Sequence, residues 1–238
     1  MAYWFPRIAD LRVPRTVFVA IPIATSGKWL EEGVPAWYVE HVANAAGFTK
    51  FPLFMRTDYA SGKHRWKDAC YVPDRESLGR HIHTVMEENE RKGVETSLYK
   101  WLVLREYIAM ETIFEAFGGR MPINHEHRYF VKDGAVQCDH PYWPPVAFKR
   151  EEVGGGPSKL PTDWRDLLAR ASRCSHEENH EILCTVASRF EGWWSVDMSR
   201  AKSGDWYLID MARAEISFHW PTCSNAPAEM REHYGEVE

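Results

Sequence analysis

Two apolar segments, residues 191–198 and 206–211, constrain the fold most, because a Ser-Gly pair at 203–204 lies in the short polar stretch between them. A Ser-Gly pair flanked by apolar runs predicts a two-stranded hairpin. With the turn centred on that pair, Asp197 and Asp210 lie directly opposite each other on one face. Side chains so placed lie about 5 Å apart, and like charges there repel. The sequence therefore predicts a strand pair that holds two carboxylates close together.

The other face of this hairpin is apolar, since it pairs Val196 with Met211 and Met198 with Ile209. A divalent cation bound by the two carboxylates would remove their repulsion, and hard oxygen ligands suit Mg²⁺. A loop of odd length is the alternative, because it would shift the pairing by one residue and separate the charges. We expect the paired arrangement, which predicts a magnesium site on one face of the sheet.

Composition and charge are those of an ordinary folded protein. The chain has 238 residues, 45% of them hydrophobic, which is enough for one large domain or two small ones. Its net charge of -5 provides no general attraction to nucleic acid. It has no apolar run of about 18 residues, so no membrane span is expected, and its first residues lack the apolar segment of a signal peptide. Five scattered cysteines without a CxxC motif favour reduced thiols and a cytoplasmic protein.

Helical and strand patterns alternate along the chain. Strands are predicted at residues 17–21, 51–56 and 101–108, with a hairpin at 123–136, and helices at 25–33, 36–46, 74–91 and, in two pieces, 163–190. Residues 139–162 contain many prolines and glycines and are expected to be an irregular connection. Because helices alternate with hairpins rather than with single strands, the pattern favours the α+β class over a parallel doubly wound sheet.

The order of these elements resembles that of the ATP-grasp superfamily. Residues 28–35 resemble the helix and turn that lead into that fold. Residues 51–56 resemble the strand that presents a cation to the nucleotide phosphates, with Arg56 where the family usually has lysine. The following loop, residues 57–65, resembles the flexible phosphate-covering loop, with Lys63 as its cation.

Three further segments carry the resemblance. Residues 102–108 resemble the hinge strand, which implies that Glu106, Tyr107 and Ile108 border the adenine and ribose. Glu126-His-Arg128 resembles the Glu-x-Arg start of a family strand. The segments that end in Asp197 and Asp210 resemble the two metal-bearing strands, and Leu208, two residues before Asp210, is expected on the same face, under the base.

The resemblance implies an α+β ATP-grasp fold, in which two α+β subdomains grip the nucleotide. Residues 1–24 would then be an N-terminal strand segment and residues 25–220 the ATP-grasp domain. Within that domain, residues 50–108 would be the smaller, nucleotide-covering subdomain and 109–220 the larger, metal-bearing one. Residues 221–238 would form a polar, poorly ordered tail.

The activity implied by the resemblance is that of a ligase dependent on ATP and Mg²⁺, which joins a carboxylate to an amine through an acyl phosphate. Phosphoryl transfer depends mainly on positioning and electrostatic stabilisation, so it needs metal ions and fixed cations. Arg56, Lys63 and Arg128 would supply the cations, and Lys63 and Arg128 would be catalytic. The substrates would be small-molecule or peptide carboxylates and amines, in a compact, divergent branch of bacterial and phage amide-forming ligases with arginine at the usual lysine position.

One departure from the family pattern leaves a second function open. The last metal-bearing strand usually reads Glu-x-Asn, but this chain has Asp210-Met-Ala212, so one metal ligand is missing. Either Glu215 or a water molecule would fill that position, since magnesium usually keeps several waters. The alternative function is therefore a nucleotide-binding ATP-grasp module without ligase activity.

A competing motif is the HExxH pattern of His176, Glu177 and His180, which is the signature of zinc metalloproteases. There two histidines one helical turn apart bind zinc, and the glutamate is the general base. Ser175 followed by Glu178 instead indicates a capping box, which places His176 in the first helical turn. The start of a solvated helix is the interpretation that we favour.

Overall fold

The structure is a computed structural model that describes residues 1–22, 27–45, 47–48, 50–91, 93, 98–149, 160–172 and 177–234. The chain divides into two compact units. The first comprises Met1–Tyr3 and Pro14–Ile108, and the second comprises Trp4–Val13 and Ala109–Glu238.

The first unit is built on a four-stranded antiparallel sheet of order β1-β4-β2-β3. Its strands are β1 (Thr16–Ala20), β2 (Leu53–Thr57), β3 (Tyr71–Val72) and β4 (Trp101–Glu106), and its helices are α1 (Trp29–Glu32), α2 (Ala36–Ala45) and α3 (Leu78–Arg91). These bounds confirm the predicted strands and helices of this region to within a few residues.

Helix α3 provides much of the core of the first unit. It follows Asp74, whose carboxylate accepts a hydrogen bond of 2.8 Å from the backbone amide of Ser77. The apolar side chains at positions 78, 82, 85 and 86 are fully buried, as their helical spacing predicts, against Met55 and Leu104 of the sheet. Each such side chain stabilises the fold by about 1.5–3 kcal/mol relative to exposure.

The second unit contains a four-stranded antiparallel sheet of order β10-β9-β7-β8 and a separate two-stranded sheet of β5 and β6. Its strands are β5 (Thr112–Ala116), β6 (Met121–Asn124), β7 (Glu126–Lys132), β8 (Ala135–Pro141), β9 (Trp194–Arg200) and β10 (Trp206–Arg213), and its helices are α4 (Trp164–Ala171), α5 (His180–Arg189) and α6 (Ala228–Tyr234). Helices and antiparallel strands are mixed in both units, which confirms the predicted α+β class.

The β9–β10 hairpin has the predicted carboxylate pair but reaches it by a different path. Near the turn, Leu208 pairs with Met198, one residue out of the predicted register, so the predicted Met198–Ile209 pair is wrong. A β-bulge between Leu208 and Asp210 then shifts the ladder by one residue. Beyond the bulge, Asp210 lies opposite Asp197, as predicted.

Two segments differ from the sequence-based prediction. The β5–β6 hairpin was not predicted; its turn has Phe117 at φ 55°, and Phe114 and Ile123 are buried in a small aromatic core with Phe148 and Trp164. The segment after Pro221, expected to be a disordered tail, contains the buried Ala226 and helix α6. No helix in the described part of the chain is long and apolar enough to cross a membrane.

Candidate functional site

Four polar side chains form a row across the large sheet of the second unit. Asp210 of β10 lies opposite Asp197 of β9, Asp197 lies opposite Arg128 of β7, and Arg128 lies opposite His140 of β8. Directly opposed residues of antiparallel strands point to the same face. The sheet therefore brings the two predicted metal ligands and the predicted catalytic arginine together, and it adds His140, which the sequence did not single out.

Arg128 holds Asp197 in a two-point ion pair. Its Nε and Nη2 atoms donate hydrogen bonds of 2.6 Å and 2.8 Å to the two carboxylate oxygens, and its Nη1 donates to the carbonyl of Phe218 at 3.2 Å. Asp197 is only 3% exposed. Burial by itself would lower the pKa of Arg128, but the negative charges around it, chiefly that of Asp197, raise that pKa, so the guanidinium stays charged. Such paired contacts fix the orientation of the carboxylate.

Asp210 has a different environment from Asp197. It is half-buried, and its Oδ1 accepts a hydrogen bond of 3.0 Å from the amide of Met211. Two carboxylates and one guanidinium leave the row with one net negative charge, not counting neutral His140. Each carboxylate can accept about four hydrogen bonds or metal contacts, so the bonds to Arg128 and Met211 leave oxygen lone pairs on both aspartates. These donors fit a hard divalent cation.

His140 ends the row as a neutral imidazole. Burial, above all, lowers its pKa to about 3, and the nearby His219 and Arg128 contribute to that shift. Its Nε2 accepts a hydrogen bond of 3.3 Å from the amide of Trp220, while Nδ1 lies 3.3 Å from the carbonyl of Pro141. The ring can make both contacts as donor and acceptor only while it is uncharged.

Two predicted residues do not join the row. Because of the bulge, Leu208 lies opposite Met198 and is buried on the other face of the sheet, so its predicted place on the face of Asp210 is wrong. Glu215 is exposed in the short 3-10 helix Ala214–Ile216. Among the described residues, its carboxylate does not form a group with Asp197 and Asp210 in which all donor atoms lie within 4.8 Å of one another.

The position of the missing asparagine is occupied by a small side chain. Ala212 lies opposite Ser195, whose hydroxyl is 2.7 Å from that of Ser217. The next cross-strand row beside the carboxylates therefore carries hydroxyl groups on the same face, but no amide.

In the first unit, Arg56 lies on a buried sheet face. It is 6% exposed, and its Nε donates a hydrogen bond of 3.1 Å to the carbonyl of Thr57. Arg56 lies opposite Val103, and Phe54 lies opposite Arg105, so both arginines share one face. Arg105 is 3% exposed and was missed by the sequence reasoning, which treated its strand only as a hinge. Two guanidinium groups on one face make this surface strongly cationic.

Lys63 begins a short 3-10 helix after Gly62, which has a left-handed conformation with φ 54°. The preceding residues are well packed: the Thr57 hydroxyl donates to the carbonyl of Ala60 at 3.1 Å, and Cys70 Sγ donates to the carbonyl of Ser61 at 2.7 Å. The predicted phosphate-covering loop is therefore folded against its own unit in this structure, and Lys63 is half-buried.

The predicted base-binding residues lie at the end of β4. Glu106 Oε1 accepts a hydrogen bond of 2.9 Å from the backbone amide of Arg15. The ring of Tyr107 meets that of Tyr71 edge to face with 5.2 Å between centroids, and burial followed by the charge of Tyr71 raises the pKa of Tyr107. Ile108 is half-buried.

The HExxH residues do not form one continuous α-helix. His176 lies outside the described residues, the 3-10 helix Glu177–Asn179 follows, and His180 begins α5. Asn179 is buried and donates a hydrogen bond of 3.0 Å to the hydroxyl of Tyr129. Glu178 accepts one of 2.6 Å from the indole of Trp206. This segment therefore has structural contacts to the sheet, and its winding departs from the α-helix that the zinc-protease motif requires.

The family comparison decides the identification. Residues 33–228 match the model of an ATP-grasp domain, the third family of its clade. The chain belongs to this ATP-grasp family. The match spans both units, so the ATP-grasp fold implied by the resemblance is confirmed.

Solved structures share this fold at low sequence identity. C-terminally truncated Cdc123 from Schizosaccharomyces pombe is 15% identical with a TM-score of 0.53, and the match covers 96% of this chain and 90% of that chain. A second structure of Cdc123 from the same organism is 13% identical with a TM-score of 0.53, over 98% and 88% of the two chains. N5-carboxyaminoimidazole synthase from Aspergillus clavatus is 9% identical with a TM-score of 0.48, over 90% and 44%. A search of the curated proteins gave no significant match.

Proposed function

We propose that this ATP-grasp protein is an ATP- and Mg²⁺-dependent ligase that joins a carboxylate to an amine. The observation that carries the proposal is the row in which Asp210, Asp197 and Arg128 lie side by side across three strands. It combines two hard oxygen donors with a permanent cation, which phosphoryl transfer needs. The family match supplies the nucleotide.

In the second unit, Asp197 and Asp210 would hold Mg²⁺, which when bound neutralises charge on the phosphates. Arg128 keeps the Asp197 carboxylate oriented through its two hydrogen bonds. Because this guanidinium is largely desolvated, its charge acts more strongly on a neighbouring anion than it would in water.

In the first unit, Arg56 and Arg105 would bind phosphoryl oxygens from the shared face of β2 and β4. A guanidinium suits this role because it cannot lose its charge and makes paired hydrogen bonds with phosphate. Lys63 would add a third cation, and residues 106–108 would border the base.

In the proposed reaction, a carboxylate oxygen of the substrate attacks the γ-phosphorus, and ADP leaves. The amine then attacks the acyl carbon, and phosphate leaves with the oxygen that came from the carboxylate. The cations of the site stabilise the negative charge on the transferring phosphoryl group, while the substrates are held in position for attack.

A nucleotide-binding module without ligase activity is the second candidate. It is favoured by Ala212 at the position of the missing asparagine and by the engagement of both Asp197 oxygens with Arg128. In that case the chain would bind ATP with magnesium but would not transfer the phosphoryl group.

The two functions differ in turnover. We expect the protein, incubated with ATP, Mg²⁺ and pools of carboxylates and amines, to release ADP and phosphate only when both substrate classes are present. With an ¹⁸O-labelled carboxylate, one label should appear in the phosphate. The Asp210→Asn variant serves as the inactive control. Binding of ATP without ADP release under any pool would favour the binding module.

A further inference from the structure

A group of soft metal ligands lies outside the carboxylate row. Cys138 of β8, His219 and Cys223 place one donor atom each within 4.8 Å of the others. The closest pair is Cys138 Sγ and His219 Nε2, at 3.2 Å. Among the residues that the structure describes, this is the group of three such donors whose spacing suits one ion.

Contacts from other parts of the fold hold the donors in place. The imidazole of His219 is fully buried and stacks on Phe130 with 4.0 Å between ring centroids. Phe130 lies directly opposite Cys138 in the β7–β8 ladder, so ring and thiol meet on one sheet face.

The third donor is fixed by a turn. The amide of Cys223 donates to the carbonyl of Trp220 at 3.0 Å, and the amide of Ala226 donates to the carbonyl of Cys223 at 3.0 Å. The side chain of Asn225 donates to the carbonyl of Gln137 at 3.0 Å, which ties this turn to the strand that carries Cys138. The three donors thus come from two segments that are joined independently of any ion.

We propose that Cys138, His219 and Cys223 bind a zinc ion. Two thiolates and one imidazole are the donors that Zn²⁺ prefers, and three protein ligands leave one of its four tetrahedral positions for water or another ligand. The same donor set does not suit Mg²⁺, which prefers oxygen. The zinc site is therefore chemically distinct from the magnesium site proposed at Asp197 and Asp210.

Zinc binding would also link the site to the carboxylate row. His219 directly follows Phe218, whose carbonyl accepts the hydrogen bond from Arg128 Nη1. A metal bond to His219 and Cys223 would hold this segment against β8. Zinc would thus stabilise the backbone that positions Arg128.

The test is the metal content of the purified protein and of single variants. We expect one equivalent of zinc per chain by mass spectrometry after dialysis against ZnSO₄ and removal of free metal. In the Co²⁺-substituted protein, thiolate-to-cobalt charge-transfer absorption should appear. Cys223→Ser, in the half-exposed turn, and His219→Asn should each lose most of the bound metal and weaken that absorption.

Cys184→Ser is the matched control, because Cys184 Sγ lies 3.4 Å from Nε2 of His180 and, among the described residues, has no third donor in its group. It should keep the full metal content. Zinc absent from the wild-type protein, or equal zinc in wild type and Cys223→Ser, would overturn the proposal. A Cys138–Cys223 disulfide found by mass spectrometry in the protein purified without reductant would also overturn it.

Discussion

The two aspartates of the carboxylate row are not equivalent. Asp197 is buried and balances the charge of Arg128, whereas Asp210 is half-buried and accepts a backbone hydrogen bond from the adjacent residue. Removal of one partner from a buried ion pair leaves an uncompensated charge and costs about 3–5 kcal/mol. Asp197 therefore combines a structural role with its proposed role in metal binding, and Asp210 is the cleaner test of that binding.

We predict that Asp210→Asn abolishes Mg²⁺-dependent ATP binding and changes the free energy of unfolding by less than about 1 kcal/mol. The asparagine oxygen can still accept the hydrogen bond from Met211. Asp197→Asn should instead lower the free energy of unfolding by several kcal/mol, of the order of 3–5 kcal/mol at most. Calorimetric titration with ATP and Mg²⁺, together with urea unfolding, checks both. Unchanged affinity in Asp210→Asn would contradict the metal assignment.

His81 makes the stability of the fold dependent on pH. It is fully buried in α3, and burial, above all, lowers its pKa below the ordinary value of 6.5. The unfolded chain therefore binds a proton at this position below about pH 6.5, whereas the folded chain binds it only at lower pH. Stability should fall as the pH decreases below about 6.5, by up to about 1.4 kcal/mol per pH unit from this residue. His125 and His140, whose pKa values are also lowered mainly by burial, contribute in the same direction.

The contribution of His81 can be isolated with His81→Gln, which has no titratable group at this position. Urea unfolding between pH 6.5 and 4.5 should show a smaller loss of stability per pH unit in the variant than in the wild type. Parallel lines for the two proteins over this range would show that His81 titrates normally in the folded state.

At the scale of elements, the bulge in β10 decides where the carboxylates lie. The pairing observed near the turn, continued without a bulge, would place Ile209 opposite Asp197. The extra residue at the bulge moves Asp210 into that position and leaves Leu208 on the opposite face. The carboxylate pair therefore depends on one irregularity of the ladder as well as on the turn.

Strand β2 shows a second consequence of alternation. Leu53 and Met55 face the apolar core, so Arg56 projects from the other face. We predict that Arg56→Ala weakens ATP binding by about tenfold or more and adenosine binding by much less, since a guanidinium–phosphate contact is worth about 1.5–3 kcal/mol. Arg75→Ala, which removes an exposed arginine paired with Glu40, is the control and should leave both affinities unchanged. Equal losses for ATP and adenosine in Arg56→Ala would place Arg56 away from the phosphates.

At the scale of the whole molecule, nucleotide and metal should stabilise the native state together. A ligand that binds only the folded protein raises the free energy of unfolding by about 2.7 kcal/mol at a hundred times its dissociation constant. We therefore predict a higher melting temperature with ATP and Mg²⁺ than with ATP and EDTA or with no ligand. The same series with Asp210→Asn should show no magnesium-dependent rise. A wild-type melting temperature unaffected by millimolar ATP would contradict both proposed functions.

Local sequence patterns determined much of this protein. The apolar spacing of α3, the strands β1, β2 and β4, and the β9–β10 hairpin depend on residues close together in the chain, so their periodicity is readable without a structure. The carboxylate pair belongs to this group, because its partners lie on one hairpin. The resemblance to ATP-grasp proteins, carried by the order of such segments, was also readable from the sequence.

Only the tertiary structure decided what surrounds that pair. Arg128 is 69 residues from Asp197, and Cys138 is 81 residues from His219, so neither contact leaves a local pattern. Both follow from the strand order β10-β9-β7-β8, which places distant segments in neighbouring rows. The sequence thus determined which elements form and the chemistry they carry. The side chains that share a face were decided by long-range strand pairing and by one bulge, because these depend on packing of the whole unit.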